Sequence, residues 1–365
     1  MYLNIPVTLG LISQIVESKA IAVGCQGFVS FDGDEAEFAI GIGSPGREMT
    51  SQTVWRMYCS GKPMLAIVIA CLVERKKLSL DDAVSKYVYE FSGSGKEGIT
   101  LRHVLNHTAG LDILKGLEAG MYSRHKRHHL VSTTVLGDDF IPGMASSFSE
   151  YAGWHLLGCV VETVTGKSYG KVAFEILIDP LLMTSTIYGN GTKERYNEIN
   201  DRIGVFYDLT SQIPTPMLYD RSESLFLDWN PGYGSYSTAR DMGKFYIALL
   251  AGLNGCKQSI ISSETAHTFT QIGRGILYDP ILERGCDFGL GFMLDLSSFG
   301  LGSYIGKRSF GHLGVLGSTW SFCDPDNRLV VSLVFNGWGE AGLSRTARIS
   351  VMDSLYRELG ITGCL

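Results

Sequence analysis

The sequence predicts a two-lobed α+β fold, with an antiparallel sheet flanked by terminal helices and a mainly helical lobe inserted between its strands. Strand-like segments near both ends of the chain and helical periodicity in its middle carry this prediction. Hydrophobic residues make up 45% and charged residues 19% of the 365 residues, as in an ordinary globular protein. We expect one lobe to comprise residues 1–58 and 232–365 and the other residues 59–231, with a small-molecule site in the cleft between them.

The first forty residues predict a helix followed by a β-hairpin. Residues 5–16 are largely apolar and have no basic region before them, which indicates a short amphipathic helix rather than a signal peptide. Two strand-like runs follow between residues 20 and 43. Asp32, Gly33 and Asp34 separate these runs and are residue types that favour a tight turn.

The middle of the chain predicts helices. From residue 62 to about residue 87, apolar side chains recur at helical spacing, and Pro63 suits a first helical turn. Residues 101–107 and 153–164 predict two further helices. The longest apolar run, residues 64–73, is too short to span a bilayer, so we expect no membrane partner.

The last third of the chain alternates between predicted helices and strands. It predicts helices over residues 237–250 and 344–359, strands over residues 288–294, 320–323 and 329–335, and a turn over residues 324–327.

Composition excludes several classes of function. The formal net charge is −6 and no long basic run is present, so nucleic acid is not an expected partner. The eight cysteines are scattered singly without a C-x-x-C pair, which argues against a zinc ribbon, a redox motif or a disulfide framework. These features predict a reduced, cytoplasmic protein.

The most basic run is Arg124-His125-Lys126-Arg127-His128-His129. It has two interpretations, a solvated loop or an entrance patch for an anionic substrate such as a phosphopantetheine arm. Adjacent histidines without a companion carboxylate make a poor metal site, so we predict no bound metal.

Cys59 and Lys62 stand three residues apart at a predicted helix N-terminus. This spacing places a thiol and an amine on one face, within reach of each other. A nearby cation and a helix N-terminus both favour the thiolate, which is the nucleophilic form. A lone C-x-x-K also occurs in proteins whose cysteine is simply buried, so spacing alone leaves both interpretations open.

A resemblance favours the catalytic interpretation. The segment around Cys59-Ser60-Gly61-Lys62 resembles the S-x-x-K region of serine β-lactamases and penicillin-binding proteins, in the branch of class C β-lactamases, esterases and D-aminopeptidases. Four later blocks resemble the same family in the same order: residues 98–111, 153–169, 232–242 and 310–317. The resemblance implies a β-lactamase/transpeptidase-like fold without a cofactor.

The resemblance also implies roles for individual residues. Cys59 stands where the family has its acylated serine, and Lys62 where the family has the lysine that handles the proton of that serine. His312-Leu313-Gly314 corresponds to the third motif, K-T-G or H-x-G. The backbone N–H groups of Cys59 and Val315 would then form the oxyanion hole.

The second motif, Y-x-N or S-x-N in the family, departs from the pattern. An ungapped alignment places Ser149-Glu150-Tyr151 on it, with Ser149 and Tyr151 as proton-relay candidates and Glu150 as a weaker one. Shifting the alignment by one residue places Phe148 at the first position, without a relay group. Trp338 is a further candidate for a wall of the pocket.

Three functions follow as expectations. The first is an acyltransferase that moves an acyl group from an ester or thioester to an amine through acyl-Cys59, as in antibiotic and other natural-product biosynthesis, because thioesters react readily with amines. The second is an esterase, D-aminopeptidase or β-lactamase-like hydrolase with water as acceptor. The third is a binding module that has lost turnover. Cys59 as an engineered replacement of a native serine also fits the pattern.

Overall fold

The computed structural model describes residues 2–113, 122–137, 140–211 and 213–362. Cys364 lies outside these residues. The strands in chain order are β1 (Gly24–Phe31), β2 (Asp34–Ser44), β3 (Arg47–Glu48), β4 (Trp55–Arg56), β5 (Phe206–Asp208), β6 (Thr215–Met217), β7 (Tyr236–Ser237), β8 (Arg274–Asp279), β9 (Arg284–Phe288), β10 (Met293–Leu294), β11 (Phe310–Leu313), β12 (Thr319–Asp324), β13 (Leu329–Phe335) and β14 (Gly337–Trp338).

The described helices lie at both termini and through the middle of the chain. They are α1 (Pro6–Ser18), α2 (Lys62–Glu74), α3 (Leu101–Leu105), α4 (Arg124–Thr133), α5 (Ala152–Thr165), α6 (Tyr169–Ala173), α7 (Lys193–Ile199), α8 (Glu223–Phe226), α9 (Ala239–Leu253), α10 (Ser263–Thr270) and α11 (Ala341–Glu358). No described helix has the length and apolar character needed to cross a membrane.

A nine-stranded antiparallel sheet joins the two ends of the chain in the order β3-β2-β1-β13-β12-β11-β10-β9-β8. The central strand β13 alternates between two cores, because successive side chains of a strand point to opposite faces. Val331 and Leu333 pack with α1 and α11, whereas Val330 and Val334 pack in the core that contains α2 and α9. The predicted α+β fold, with a sheet between terminal helices and a helical insertion, is therefore confirmed.

The predicted N-terminal hairpin is also present. Phe31 pairs with Asp34 at its end. Asp32 and Gly33 form the turn with φ values of 52° and 92°, the left-handed conformation that a two-residue hairpin turn requires. Strand β1 of this hairpin pairs with β13, which joins the N-terminal strands to the C-terminal strands in one sheet.

Some predicted elements differ in extent from those of the structure, including the helix predicted over residues 101–107, which ends at Leu105. The helix predicted to reach residue 87 ends at Glu74, where Lys76 turns left-handed with φ 55° and Lys77 N–H donates to Leu72 O at 2.9 Å. Leu78 is apolar because it packs in the core, although it lies in an irregular segment. The apolar spacing that predicted the helix therefore continues beyond its end.

The strand predicted over residues 288–294 is instead a tight hairpin between β9 and β10. Gly289 N–H donates to Phe292 O at 2.9 Å, and Gly291 has φ 86°. The helical part between residues 59 and 231 also contains the short strands β5 and β6, which pair with each other, and β5 also pairs with β14. The lobe boundaries themselves stay predictions.

Candidate active site

Cys59 lies in a short 3₁₀ turn, Tyr58–Gly61, directly before α2. Its side chain is half-buried, whereas Lys62 at the start of α2 is fully buried. Lys62 Nζ donates a hydrogen bond to Cys59 Sγ at 3.2 Å. The structure therefore brings together the thiol and the amine whose spacing predicted that they meet.

Lys62 has three acceptors around its amine. Besides Cys59 Sγ, Nζ donates to Glu150 O at 2.6 Å and to Gly232 O at 2.8 Å. These contacts use the three donors of an ammonium group. Burial lowers the pKa of Lys62, while the neighbouring Cys59 and Glu150 act in the opposite direction. The amine can therefore stabilise a thiolate and can also release a proton at lower cost than an exposed lysine.

The turn that carries Cys59 is held by a buried ion pair on one side. Arg56 Nη1 donates to Asp220 Oδ1 at 2.9 Å, and the Tyr58 hydroxyl donates to Asp220 Oδ2 at 2.5 Å. Tyr58 has φ 51°, a conformation that non-glycine residues adopt at a cost. The contact with Asp220 therefore fixes an unfavourable backbone conformation next to the nucleophile.

Thr319 at the start of β12 and Gly314 after β11 hold the same turn from the other side. Met57 O accepts hydrogen bonds from Ser60 Oγ at 2.6 Å and from Thr319 Oγ1 at 2.9 Å. A Cβ atom on Gly314 would lie 2.0 Å from Thr319 Oγ1 and 3.0 Å from Met57 O. Only glycine fits at this position, where the third motif packs against the turn that carries Cys59.

A cavity of about 500 Å³ opens beside Cys59. Of the residues predicted for the site, it is lined by Cys59, Glu150, Gly314, Val315 and Trp338. Val315 begins a short turn that follows β11 directly. The cavity thus joins the nucleophile to the segment predicted to supply the second oxyanion-hole N–H.

The walls of the cavity are largely apolar, with cations at two places. The apolar part includes Phe148, Met293 and Phe299. Arg284 and Arg348 also line the cavity. Burial lowers the pKa of Arg348 to about 10, which leaves its side chain charged near neutral pH. The apolar walls suit an apolar group and the two arginines a negatively charged one, while Glu150 adds an acidic side chain to the lining.

His312 lies on β11 beneath the cavity rather than in its lining. Its side chain is buried, and Nδ1 lies 2.8 Å from Leu313 O. Burial, with a smaller contribution from Lys62, lowers the pKa of His312 to about 3, so the ring is neutral. Among the described residues, its Nε2 makes no hydrogen bond. We therefore expect His312 to act as a neutral polar group below the site.

The second-motif residues point in two directions. Ser149 Oγ accepts a hydrogen bond from Gly153 N at 2.8 Å, and the Tyr151 hydroxyl lies 3.1 Å from His155 Nδ1. Neither Ser149 nor Tyr151 lines the cavity, whereas Phe148 and Glu150 do. Alternate side chains of this segment face opposite sides, so the cavity is lined by the first and third residues of the alignment shifted by one residue. Which alignment corresponds to the second motif stays a prediction.

Tyr233 and Tyr58 also line the cavity, and sequence reasoning did not select either of them. Tyr233 is buried, and burial raises the pKa of its hydroxyl. Its backbone turn is fixed by Asn230 Oδ1, which accepts from Gly232 N at 3.2 Å and Tyr233 N at 3.1 Å. The signal was available, because Tyr233 follows Gly232 in one of the blocks that carried the resemblance.

The basic run at residues 124–129 is not the predicted loop but the first part of α4. Arg127 is buried, and its two terminal nitrogens donate to the Asp228 carboxylate at 2.6 and 2.8 Å. Arg124 pairs with Glu162. No residue of this run lines the described Cys59 cavity, so the entrance-patch interpretation finds no support in this cavity.

Comparison with known proteins gives a consistent picture. A family model described as Beta-lactamase matches residues 27–355. Esterase EstB of Burkholderia gladioli is 25% identical over 342 residues, which cover 85% of this chain and 84% of EstB. Protein flp of Staphylococcus aureus (strain COL) is 29% identical over 167 residues, which cover 44% of this chain and only 32% of flp.

Among solved structures, one similar chain is described as "EstCE1, a hydrolase with promiscuous acyltransferase activity". It superposes with a TM-score of 0.78 and is 22% identical in sequence. The alignment covers 96% of this chain and 98% of that chain. At this identity the likeness establishes the fold, over nearly the full length of both chains.

Proposed function

Because the chain belongs to the beta-lactamase family and is an enzyme that acts on small molecules, we propose that it transfers acyl groups through a thioester on Cys59. The observation that carries this proposal is the 3.2 Å contact between Cys59 Sγ and Lys62 Nζ beside the cavity. The donor is an ester or thioester and the acceptor an amine, as in natural-product assembly. The reaction needs neither ATP nor a cofactor.

The proposed reaction has two steps. Cys59 Sγ attacks the donor carbonyl, the C–S bond forms, and the bond to the alcohol or thiol breaks. Lys62 holds the thiol proton and supplies it to the leaving group. An amine then attacks the thioester, the C–S bond breaks, and the amine proton returns to Lys62. The N–H groups of Cys59 and Val315 stabilise the negative oxygen in both steps.

The cavity supports a class of acyl donor. Phe148, Met293 and Phe299 favour an apolar acyl chain, and Arg284 and Arg348 favour a carboxylate or phosphate elsewhere in the donor. Glu150 and Trp338 line the same cavity and are proposed substrate contacts.

Hydrolysis is the second candidate, and the relatives favour it. EstB is described as an esterase and EstCE1 as a hydrolase with promiscuous acyltransferase activity. In this case water replaces the amine in the second step, and the first step is unchanged. The two candidates therefore differ only in what clears the acyl group from Cys59.

Intact-mass measurements separate these functions. The protein is mixed with an activated thioester, and its mass is followed with and without an added amine. An adduct that clears only with amine supports transfer, whereas clearance in buffer alone supports hydrolysis. A broad panel of acyl donors that leaves no adduct would contradict both and support a binding module.

Two variants locate the adduct. Cys59→Ser should lose the thioester, while Cys256→Ser, which alters an exposed free cysteine, should retain it. An adduct of unchanged mass and lability in Cys59→Ser would place the acyl group elsewhere.

A further inference from the structure

A group of metal-binding side chains lies outside the Cys59 cavity, between α4 and α5. His128 belongs to α4, and His155 and Cys159 belong to α5. The two α5 residues stand four positions apart, so their side chains emerge from the same face of the helix. One donor atom from each of the three residues lies within 4.8 Å of the others.

Two of the three ligand–ligand distances are close to those of a tetrahedral site, and the third, between His155 and Cys159, is at most 4.8 Å. His128 Nδ1 lies 3.2 Å from His155 Nε2 and 3.9 Å from Cys159 Sγ. Zinc–nitrogen bonds of roughly 2.0–2.1 Å at tetrahedral angles separate two nitrogens by about 3.3 Å, and a zinc–sulfur bond of about 2.3 Å separates nitrogen and sulfur by about 3.6 Å. The sulfur would need to move by only about 0.3 Å relative to His128.

The outer nitrogens of both rings have polar neighbours. His155 Nδ1 lies 3.1 Å from the Tyr151 hydroxyl. His128 Nε2 lies 3.5 Å from Ser132 Oγ and 4.0 Å from the Glu90 carboxylate. Metal-ligating histidines commonly have such a partner on the second nitrogen, which fixes the tautomer and the orientation of the ring. The inner nitrogens share a hydrogen bond at 3.2 Å, and both can bind an ion once the proton between them is released to solvent.

The group is open to solvent through a surface cavity of about 550 Å³, which His128, Cys159, Glu90 and Glu162 help to line. Arg124 also lines this cavity, but it is paired with Glu162 at 2.5 Å. Glu162 offsets part of the positive charge of Arg124, whose side chain also contacts the Cys159 thiol and would turn away from the sulfur as an ion binds. Solvent can occupy the fourth coordination position.

We propose that His128, His155 and Cys159 bind a divalent transition metal, with zinc as the ion whose geometry and ligand preference agree best. Binding transfers the Cys159 proton to solvent and leaves a thiolate ligand. The ion joins α4 to α5 and takes no part in the chemistry at Cys59. The sequence predicted no metal because the second histidine and the sulfur come from another helix.

Cobalt(II) provides a direct test, because a thiolate bound to tetrahedral cobalt gives a charge-transfer absorption. Chelator-treated Cys59→Ser protein, which lacks the thiol of the acyl site, is titrated with cobalt(II) and then with zinc. We expect one equivalent of cobalt to produce the band and zinc to abolish it. X-ray absorption of the zinc-loaded parent protein should show two nitrogen neighbours and one sulfur neighbour. A zinc shell without sulfur would overturn the proposal.

Variants on both helices identify the ligands. His128→Ala and Cys159→Ser should each weaken zinc binding by at least about 10-fold, and Cys159→Ser should remove the charge-transfer band. The matched controls His129→Ala and Cys256→Ser, at exposed positions, should keep both properties. An unchanged band in a Cys159→Ser protein whose circular dichroism matches the parent would also overturn the proposal.

Discussion

At position 59 the side chain and its neighbour determine what chemistry is available. A hydroxyl beside Lys62 would need the amine to remove its proton during the attack, whereas a thiol can give up its proton before the substrate arrives. The contact between Lys62 Nζ and Cys59 Sγ suits this earlier transfer. A thioester then forms, and amines attack thioesters more readily than oxoesters. The cysteine therefore favours transfer over hydrolysis in the proposed reaction.

The role of Lys62 can be tested by removing its amine. Lys62→Met should lower the rate of acyl-adduct formation by about 100-fold or more, because the thiol loses its proton acceptor. Lys96→Met is a matched control, since Lys96 is also buried and donates to Ser132 O at 2.6 Å and Thr134 O at 2.8 Å. Intact-mass kinetics measure both. Equal losses in the two variants would indicate a general effect of removing a buried lysine.

Whether a tyrosine hydroxyl assists the proton transfers of Lys62 can be tested in the same way. Tyr233 lines the cavity and Tyr151 does not, so Tyr233→Phe should slow acyl transfer by at least about 10-fold while Tyr151→Phe leaves the rate nearly unchanged. Steady-state kcat on the same donor and amine measures the difference. A loss confined to Tyr151→Phe would restore the second motif to the role that the sequence suggested.

These residues also show which features of the site could be predicted from the sequence. The proximity of Cys59 and Lys62 was predictable, because helical geometry alone brings residues three apart together. The choice between Ser149 and Phe148 was not, because a one-residue shift of an irregular segment exchanges the inward and outward sides. Tyr233 lies in a block that carried the resemblance, but its contact with the cavity joins segments far apart in the chain, which local periodicity does not specify.

At the scale of elements, the turn that carries Cys59 (Tyr58–Gly61) is held in place by contacts on two sides. Asp220 accepts hydrogen bonds from Arg56 and Tyr58 on one side, while Thr319 on β12 contacts Met57 on the other. Both contacts join segments far apart in sequence. The position of Cys59 therefore depends on the completed fold rather than on α2 alone.

Breaking the buried ion pair between Arg56 and Asp220 should lower both the stability of the fold and the activity at Cys59. The Arg56 and Asp220 side chains are 1% and 3% exposed, so Asp220→Ala leaves an unpaired buried charge and should lower the free energy of unfolding by about 3 kcal/mol or more. Asp201→Ala breaks the exposed pair with Arg47 and should change stability little. Denaturant unfolding measures both. Similar small changes would show that Asp220 does not hold the turn.

At the scale of the molecule, the fold was predictable and its details were less so. Strand patterns at both ends required a sheet built from both termini, and the β1–β13 pairing provides it. The strands β8 and most of β9 were not predicted. Exposed residues such as Ile276 and Tyr278 on β8 give no clear alternation between buried and exposed sides. Such edge strands are specified by their partner rather than by their own pattern.

The stability of the whole molecule should depend on pH through buried histidine. His312 has a pKa lowered to about 3 in the folded chain, against about 6.5 when unfolded. Below pH about 6.5 His312 binds a proton in the unfolded chain but not in the folded chain. The contribution of the neutral His312 to the free energy of unfolding is therefore complete above pH about 6.5 and is lost progressively toward pH about 3. The free energy of unfolding of His312→Gln should therefore fall less than that of the parent between pH about 6.5 and 5, by up to about 2 kcal/mol.

Urea unfolding across this pH range measures how steeply the free energy of unfolding falls. His267→Gln, at an exposed position on α10, should show the same pH dependence as the parent. Parallel slopes for the parent and His312→Gln would contradict the assignment of His312 as a buried neutral group.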